Sequence, residues 1–195
     1  NTDNRILELG AGGGDTLVAI KKEGIAKEVV GIELNPLSNS NQKNAAIDQF
    51  LFGNIESMEI PFEEGYFDVI ICGDVLEHLI DPWAVVKKAA RYLKTGGILI
   101  TSIPNIRYYR AVVEIFGKGN FQYTEHGLFD KTHLRFFCRK DMVRLLSVPT
   151  MKVSAVYPIF DLLPGSKIRT LNKITFGLFE EFLSMQFVLV TEKTF

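Results

Sequence analysis

Cysteine, net charge and long apolar runs are what this sequence has least of. Only 2 cysteines occur in 195 residues, Cys72 within an apolar run and Cys138 in a polar one. That is too few for a disulfide framework, and it offers no zinc-ligand spacing. Lys and Arg number 22 against 23 Asp and Glu, a formal net charge of −1, so a broad footprint for nucleic acid or an anionic membrane is not expected. No apolar run approaches the length needed to span a bilayer, and no signal peptide precedes Arg5. These absences describe a reduced, cytoplasmic protein without a membrane span. Composition breaks are also missing, so residues 1–195, with 47% hydrophobic content, read as a single domain with a substantial core.

Glycine, by contrast, is concentrated near the start. Arg5 to Asp15 reads RILELGAGGGD, an apolar run carrying Glu8 that passes directly into glycines, the signature of a buried strand breaking into a tight turn that opens a helix. Such a turn brings backbone amides close to a ligand. A dinucleotide loop would read G-x-G-x-x-G, but the sixth position from Gly10 is Asp15, and the pattern present is E-x-G-x-G-x-G over Glu8, Gly10, Gly12 and Gly14. It resembles motif I of the class I S-adenosylmethionine (SAM) dependent methyltransferases. Glu8 has two uses in such a motif, organising the glycine loop or receiving the ammonium of the methionine moiety. An ordinary strand-to-helix turn looks the same in isolation, so the rest of the chain has to decide.

Thr16 to Lys22 reads as a helix stopped by Gly24. Glu28 to Leu34 (EVVGIEL) is a second strand, which delivers Glu33 about 20 residues beyond the glycine loop, where a βαβ unit presents a carboxylate to ribose hydroxyls. A strand-end surface charge is the plain alternative for Glu33. Asn35 to Asp48 is expected to be a solvent-facing helix, Phe50 to Asn54 a third strand, and Phe67 to Cys72 a fourth strand, apolar throughout and covered on both faces. Asp81-Pro82 caps and starts a helix whose packed face carries Trp83, Val86, Ala90 and Leu93, ending at Gly96-Gly97; Trp83 is assigned to packing. Ile98 to Ile103 is the fifth strand and Tyr108 to Phe116 a helix. Residues 120–137 form a long aromatic and polar loop, a functional or mobile type. A helix over Arg139 to Leu146 follows, with Cys138 as a weak cap. Strands over Lys152 to Ile159 and Gln186 to Lys193 flank a helical stretch from Ile168 to Met185. The alternation gives an α/β fold, a seven-stranded, mainly parallel sheet with helices on both faces.

In an open parallel sheet, ligands bind beyond the carboxyl ends of the strands where strand order reverses. Glu8, Glu33, Asn54 and Asp74 stand at four such ends, a convergence hard to obtain by chance. The most specific stretches are CGDVLEHLIDP, LKTGGILITSIPN and GLFDKTHLRFFCRKDM. They resemble the methyltransferase type 11, 12 and 23 group, which is related to ubiquinone-biosynthesis O-methyltransferases and includes members encoded with polysaccharide pathways. The resemblance implies a Rossmann-like sheet whose last strand is antiparallel, with SAM as cofactor and S-adenosylhomocysteine (SAH) as product. It implies cofactor contacts at Glu8, Gly10, Ala11, Gly12, Gly14, Glu33, Leu34, Asn54, Ile55, Asp74 and Val75, and an acceptor-side loop or lid at 120–137. An N-terminal helix that often covers the cofactor in the superfamily is missing from this stretch.

Methyl transfer from a sulfonium needs alignment and exclusion of water, and a hydroxyl nucleophile also needs a base or metal nearby. His78, shortly after Asp74, and His133, beside Arg135, Phe136 and Phe137, are the candidate catalytic residues. Capping or packing is an equal alternative for His78. The D-x-x-E-H spacing of Asp74, Glu77 and His78 with a later His133 is similar to the E-x-x-E-H plus distal His that holds a divalent metal in small-RNA 2′-O-methyltransferases, with Asp74 in place of the first Glu. The competing arrangement has Asp74 and His78 shaping the methionine pocket and Glu77 pairing with His133 across the lid. The acceptor expected is a small molecule or glycan intermediate, not nucleic acid, methylated on oxygen; no oligomeric state is assigned. Two rivals remain in other classes. A nucleotide-dependent oxidoreductase or epimerase is disfavoured by Asp15 and by the lack of a Tyr-x-x-x-Lys pair, since Tyr108 and Tyr109 are followed by Val112 and Val113. A non-catalytic SAM-fold binding module is the other.

Overall fold

A computed structural model describes residues 3–160 and 167–195. Its sheet has seven strands, β1 (Asn4–Leu9), β2 (Ala26–Glu33), β3 (Gln49–Phe52), β4 (Phe67–Gly73), β5 (Leu93–Pro104), β6 (Met151–Phe160) and β7 (Ser184–Lys193). They are ordered β3-β2-β1-β4-β5-β7-β6. The first five run parallel, and β7 enters antiparallel between β5 and β6. Strand order reverses between β1 and β4, so the carboxyl ends of these two strands flank the crevice where a ligand is expected.

Burial on both faces explains why β1, β2 and β4 carry apolar residues at successive positions, alternate ones entering opposite core layers. Leu7, Leu9, Val30, Ile32, Ile70 and Cys72 point into one core layer, under α2 (Pro82–Tyr92) and α4 (Arg139–Leu146). Ile6 and Val29 point into the other, with Val69 and Ile71 packed against it, under α1 (Asp15–Lys22). Glu8 falls between these apolar positions and is buried. Asp81 caps α2 by accepting a hydrogen bond from the Ala84 amide at 3.0 Å, with Pro82 in the first turn. Cys138 precedes α4 without any side-chain cap, as a sulfur there predicts.

Five expectations are corrected. Residues 35–48 are a chain of turns, not a helix. Their polar side chains satisfy nearby groups instead: Asn41 Nδ2 donates to Asp15 Oδ1 at 2.7 Å, Asn44 Nδ2 to Asn41 Oδ1 at 2.9 Å, and the Ala46 amide to Asn44 Oδ1 at 3.0 Å. Such bonds compete with a helical backbone. Trp83 is 47% exposed; the buried stripe of α2 is Pro82, Val85, Val86, Ala89 and Ala90, centred roughly a quarter turn away. The helix also ends at Tyr92, and Leu93 already begins β5. The stretch from Ile168 to Met185 is two short helices, α5 (Ile168–Ile174) and α6 (Glu180–Leu183), parted by a turn with Phe176 and Gly177 at positive φ. The helix expected over Tyr108 to Phe116 is a single turn, α3 (Tyr109–Val112), widening into a π turn at Val113–Gly117.

Candidate active site

The glycine turn is held from below and from the side. Gly10 has φ 68°, and a Cβ there would lie 2.3 Å from Val75 Cγ2, so the turn rests directly on the segment leaving β4. Gly12 has φ 51°, but a Cβ there would meet nothing within 4 Å; it faces open space. The Gly12 amide donates to Glu33 Oε2 at 2.8 Å, and the other oxygen of Glu33 accepts from the Leu34 amide at 2.7 Å. Gln42, buried in the irregular segment after β2, donates to the Gly12 carbonyl at 2.7 Å. Ala11 is buried with its amide on the Ile32 carbonyl at 2.9 Å, and Gly14 backs onto Ile47 and Phe50.

Glu8 lies beneath this turn. Burial pushes its carboxyl up to about 7 against the restraining hydrogen bond of Thr16, and Oε2 has no hydrogen-bond partner among the described residues. An unpaired buried carboxylate is costly, so this atom is suited to a donor or cation that the protein itself does not provide.

A cavity of about 300 Å³ opens over the strand ends, lined by Gly10, Glu33, Leu34, Gly53, Asn54, Ile55, Asp74 and Val75, and also by Glu56, His78 and Leu79. Seven of the eleven predicted cofactor contacts stand on its wall; Glu8, Ala11, Gly12 and Gly14 do not. Asn54 accepts the Glu56 amide at 2.8 Å, and Lys88 reaches from α2 to the carbonyls of Ile55 and Met58 at 2.8 and 2.9 Å, fixing the turn that forms one end of the cavity. Lys88 was invisible as a site-shaping residue in the sequence, where it reads as one of several surface lysines.

Asp74 is the hinge between this cavity and a second. It takes φ 53°, unusual outside glycine. The geometry is held by the amide of Asp74 on the Ser102 carbonyl at 3.0 Å and by Gln186 from β7, which donates to both Asp74 Oδ1 and Ser102 Oγ. Burial raises the Asp74 carboxyl above its ordinary value, opposed by Ser102, His78 and His133.

The second cavity, about 560 Å³, is lined by Asp74, Glu77, His78 and His133 together with Pro104, Tyr108, Arg110, His126, Leu128, Met185 and Gln186. All four residues of the sequence-based cluster meet here. His78 and His133 stack edge to face with centroids 4.7 Å apart. His78 Nδ1 lies 3.2 Å from the Thr132 carbonyl and 3.0 Å from Thr132 Oγ1, whose own proton goes to Asp130 at 2.7 Å. Both neighbours are therefore acceptors, and Nδ1 of His78 carries the proton. His133 Nδ1 faces the Leu128 carbonyl at 3.0 Å, so the same tautomer follows. With the proton on Nδ1, the neutral form of each ring has its lone pair at Nε2. Glu77 is 1% exposed, and neither carboxylate oxygen has a hydrogen-bond partner among the described residues; burial, with Asp74 adding to it, pushes its carboxyl up to about 8. The expected pairing of Glu77 with His133 does not form as a hydrogen bond. What ties the loop to β4 is the Glu77 backbone, whose carbonyl accepts from Leu134 and Arg135 at 2.8 and 2.9 Å.

Residues 7–101 match the methyltransferase domain family. The demethylmenaquinone methyltransferase of Staphylococcus aureus is 31% identical over 128 residues, covering 58% of this chain and 53% of the relative. The chain thus spans about half the length of the curated relatives it matches. A SAM-dependent methyltransferase from Mesorhizobium loti superposes with a TM-score of 0.65 at 14% identity over 97% of this chain and 91% of that one. One from Archaeoglobus fulgidus gives 0.65 at 15% identity over 97% and 86%. Residues 7–101 carry a class I SAM-dependent methyltransferase domain. The order β3-β2-β1-β4-β5-β7-β6 with β7 antiparallel is the methyltransferase form of the Rossmann-like sheet.

The family implies SAM as methyl donor, and the residues of the first cavity and of the glycine segment beside it suit it. Glu33 spends one hydrogen bond per oxygen on the loop, and a carboxylate has roughly four acceptor positions, so capacity remains for hydroxyl donors. Glu8 Oε2 has an unmet need for a cationic or donor group, and Gly12 leaves room above the turn. For a metal, Glu77, His78 and His133 each offer one ligand atom, all within 4.8 Å of one another. One carboxylate and two imidazoles are a donor set for Zn²⁺ or Mn²⁺.

Proposed function

We propose that the chain is an active SAM-dependent methyltransferase that methylates an oxygen of a small-molecule or glycan acceptor held in the second cavity. The observation carrying this reading is that His78 and His133 present two imidazoles with fixed Nδ1–H tautomers beside Asp74, the residue shared by both cavities. SAM supplies an electrophilic methyl group when bound in the first cavity. The protein's part is to hold the acceptor hydroxyl in line, exclude water and take its proton at a histidine Nε2. Glu8, Glu33 and the Gly10–Gly12 turn bind the cofactor in this reading, Asn54, Ile55 and Leu34 enclose the adenine side, and Asp74 with Val75 separates cofactor from acceptor. Residues 120–137 serve as the acceptor-side lid. Free thiols at Cys72 and Cys138 suit a reducing cytoplasmic setting.

A second form of the mechanism has a divalent cation on Glu77, His78 and His133 lowering the pKa of the acceptor hydroxyl. One observation favours it, the buried Glu77 carboxylate with both oxygens unpartnered. Calorimetric titration with SAM, SAH and NAD tests the cofactor; micromolar SAH binding without NAD binding is expected, and the reverse would revive the oxidoreductase reading. Turnover of any hydroxylated acceptor separates an enzyme from a non-catalytic binding module.

A further inference from the structure

The segment joining β6 to β7 carries apolar residues that nothing among the described residues covers. Helix α5 buries no residue. Leu171 is 46% exposed, Ile174 68%, Leu178 78%, and Phe176 99%. Phe176 sits at the tip of a tight turn with φ 51°, followed by Gly177 at 77°, and the Gly177 amide closes that turn on the Asn172 carbonyl at 2.8 Å. A left-handed, wholly exposed phenylalanine is a conformation a chain seldom keeps without use. The apolar tip is also basic. Lys167, Arg169 and Lys173 are exposed, and no acid occurs between residues 167 and 179. The acids that follow face inward, Glu181 to Arg107 at 2.7 Å and Glu180 to Arg139 at 3.3 Å, while Asn105 pins this base through the carbonyls of Glu181 and Ser184 at 2.7 and 2.8 Å. The tip therefore projects from a firm anchor at the carboxyl end of β5, immediately before Met185 and Gln186 on the wall of the second cavity.

We propose that residues 167–179 dock on an anionic phospholipid surface, inserting Phe176 and Leu178 between headgroups while Lys167, Arg169 and Lys173 meet lipid phosphates, and so present the acceptor cavity to the bilayer. The near-neutral whole-chain charge does not oppose this, because only charges within a Debye length of the surface contribute. A projecting tip suits a deformable interface, with aromatic and aliphatic residues flanked by cations. A symmetric dimer through the same face would set three cations against three of the same sign.

The test is sedimentation of the chain with vesicles of phosphatidylcholine, with or without a third of phosphatidylglycerol, read without turnover and so independent of the acceptor chemistry proposed above. Binding to the anionic vesicles is expected to be up to about a hundredfold stronger, since each basic side chain near such a surface is worth about fivefold. Phe176→Ser with Leu178→Ser, both on exposed positions, should weaken it about tenfold or more, and Arg169→Glu with Lys173→Glu should abolish the anionic preference. Three results would each overturn the proposal. They are a wild-type chain left in the supernatant by both vesicle types, unchanged partition of the Phe176/Leu178 variant, and vesicle-free dimerisation that this same variant dissolves.

Discussion

His78 Nδ1 and Thr132 Oγ1 lie 3.0 Å apart, and because Thr132 gives its proton to Asp130 at 2.7 Å, the histidine is the donor. The loop after β5 thereby sets the tautomer of a residue that leaves β4. In the lid role proposed for residues 120–137, this contact ties the position of the loop to the tautomer of His78. Replacing Thr132 by Val removes the acceptor hydroxyl while leaving the carbonyl at 3.2 Å. If His78 is the base, kcat should fall about threefold to tenfold and SAH affinity should hold. A Thr132→Val enzyme with unchanged kcat would show that the tautomer is fixed by the carbonyl alone.

The catalytic assignment can be separated from the metal. With an acceptor in hand, His78→Ala and His133→Ala should each lower kcat by roughly 10²-fold or more as loss of a general base, with SAH binding unaltered in His133→Ala, whose side chain lies off the first cavity. Full activity in EDTA would remove the cation from Glu77, and loss restored by Zn²⁺ or Mn²⁺ would place it there. Near wild-type kcat in both variants would reduce the pair to loop packing.

Much of this was legible in the sequence because the parallel strands carry their own signal. The apolar runs ending in Glu8, Glu33 and Asp74 specify both the sheet and the rim, since a strand buried on both faces leaves its end as the place for a polar residue. What could not be read depends on contacts remote in sequence. Gln42 reaches back to Gly12, Lys88 crosses to the turn after β3, and Gln186 anchors Asp74 from β7; each looks like an ordinary surface residue until the chain folds. The helix wrongly expected over residues 35–48 failed for a local reason. Its asparagines hydrogen-bond each other and nearby backbone, and no apolar stripe was available to reward helix formation.

Glu33 and Gly12 form one unit, so their variants should differ in kind. Glu33→Ala removes a charged acceptor from the cofactor cavity and from the Gly12 amide, and charge-assisted hydrogen bonds are worth about 1.5–3 kcal/mol each. SAH affinity should fall at least about tenfold with a small change in folding midpoint. Gly12→Val places a branched group in the open space above the turn at φ 51°, so backbone strain lowers stability somewhat, and SAH binding should be abolished even where the protein still folds. Gly10→Ala, by contrast, drives a methyl into Val75 and should lower stability first. Normal SAH titration of Gly12→Val would mean that the turn does not cradle the cofactor.

Gln42→Ala tests the irregular segment after β2. The buried side chain holds the Gly12 carbonyl at 2.7 Å and the Leu37 amide at 2.8 Å. Leaving both without partners should cost about 1–3 kcal/mol and weaken SAH binding through a loosened turn. A stability loss in a urea titration without any effect on affinity would confine Gln42 to folding.

Glu8 supplies a pH dependence with a definite sign. Its carboxyl is raised from 4.5 to about 7 in the folded protein, so the folded state binds a proton that the unfolded state has already released between those values. The stability present below pH 4.5 is therefore lost as pH rises to about 7, and it levels off above. The shift corresponds to on the order of 3 kcal/mol. Glu8→Gln keeps the shape and cannot ionise. The ligand-free variant should match wild type near pH 5 and exceed it near pH 8, in the difference between their urea midpoints. Saturating SAM, if its ammonium meets Glu8 Oε2, should narrow that gap at pH 8 by stabilising the ionised wild type while leaving the glutamine variant little changed. A gap that does not respond to SAM would mean that Glu8 organises the loop and does not contact the methionine moiety; parallel pH profiles for the two ligand-free proteins would mean that Glu8 is not the buried acid inferred from its burial.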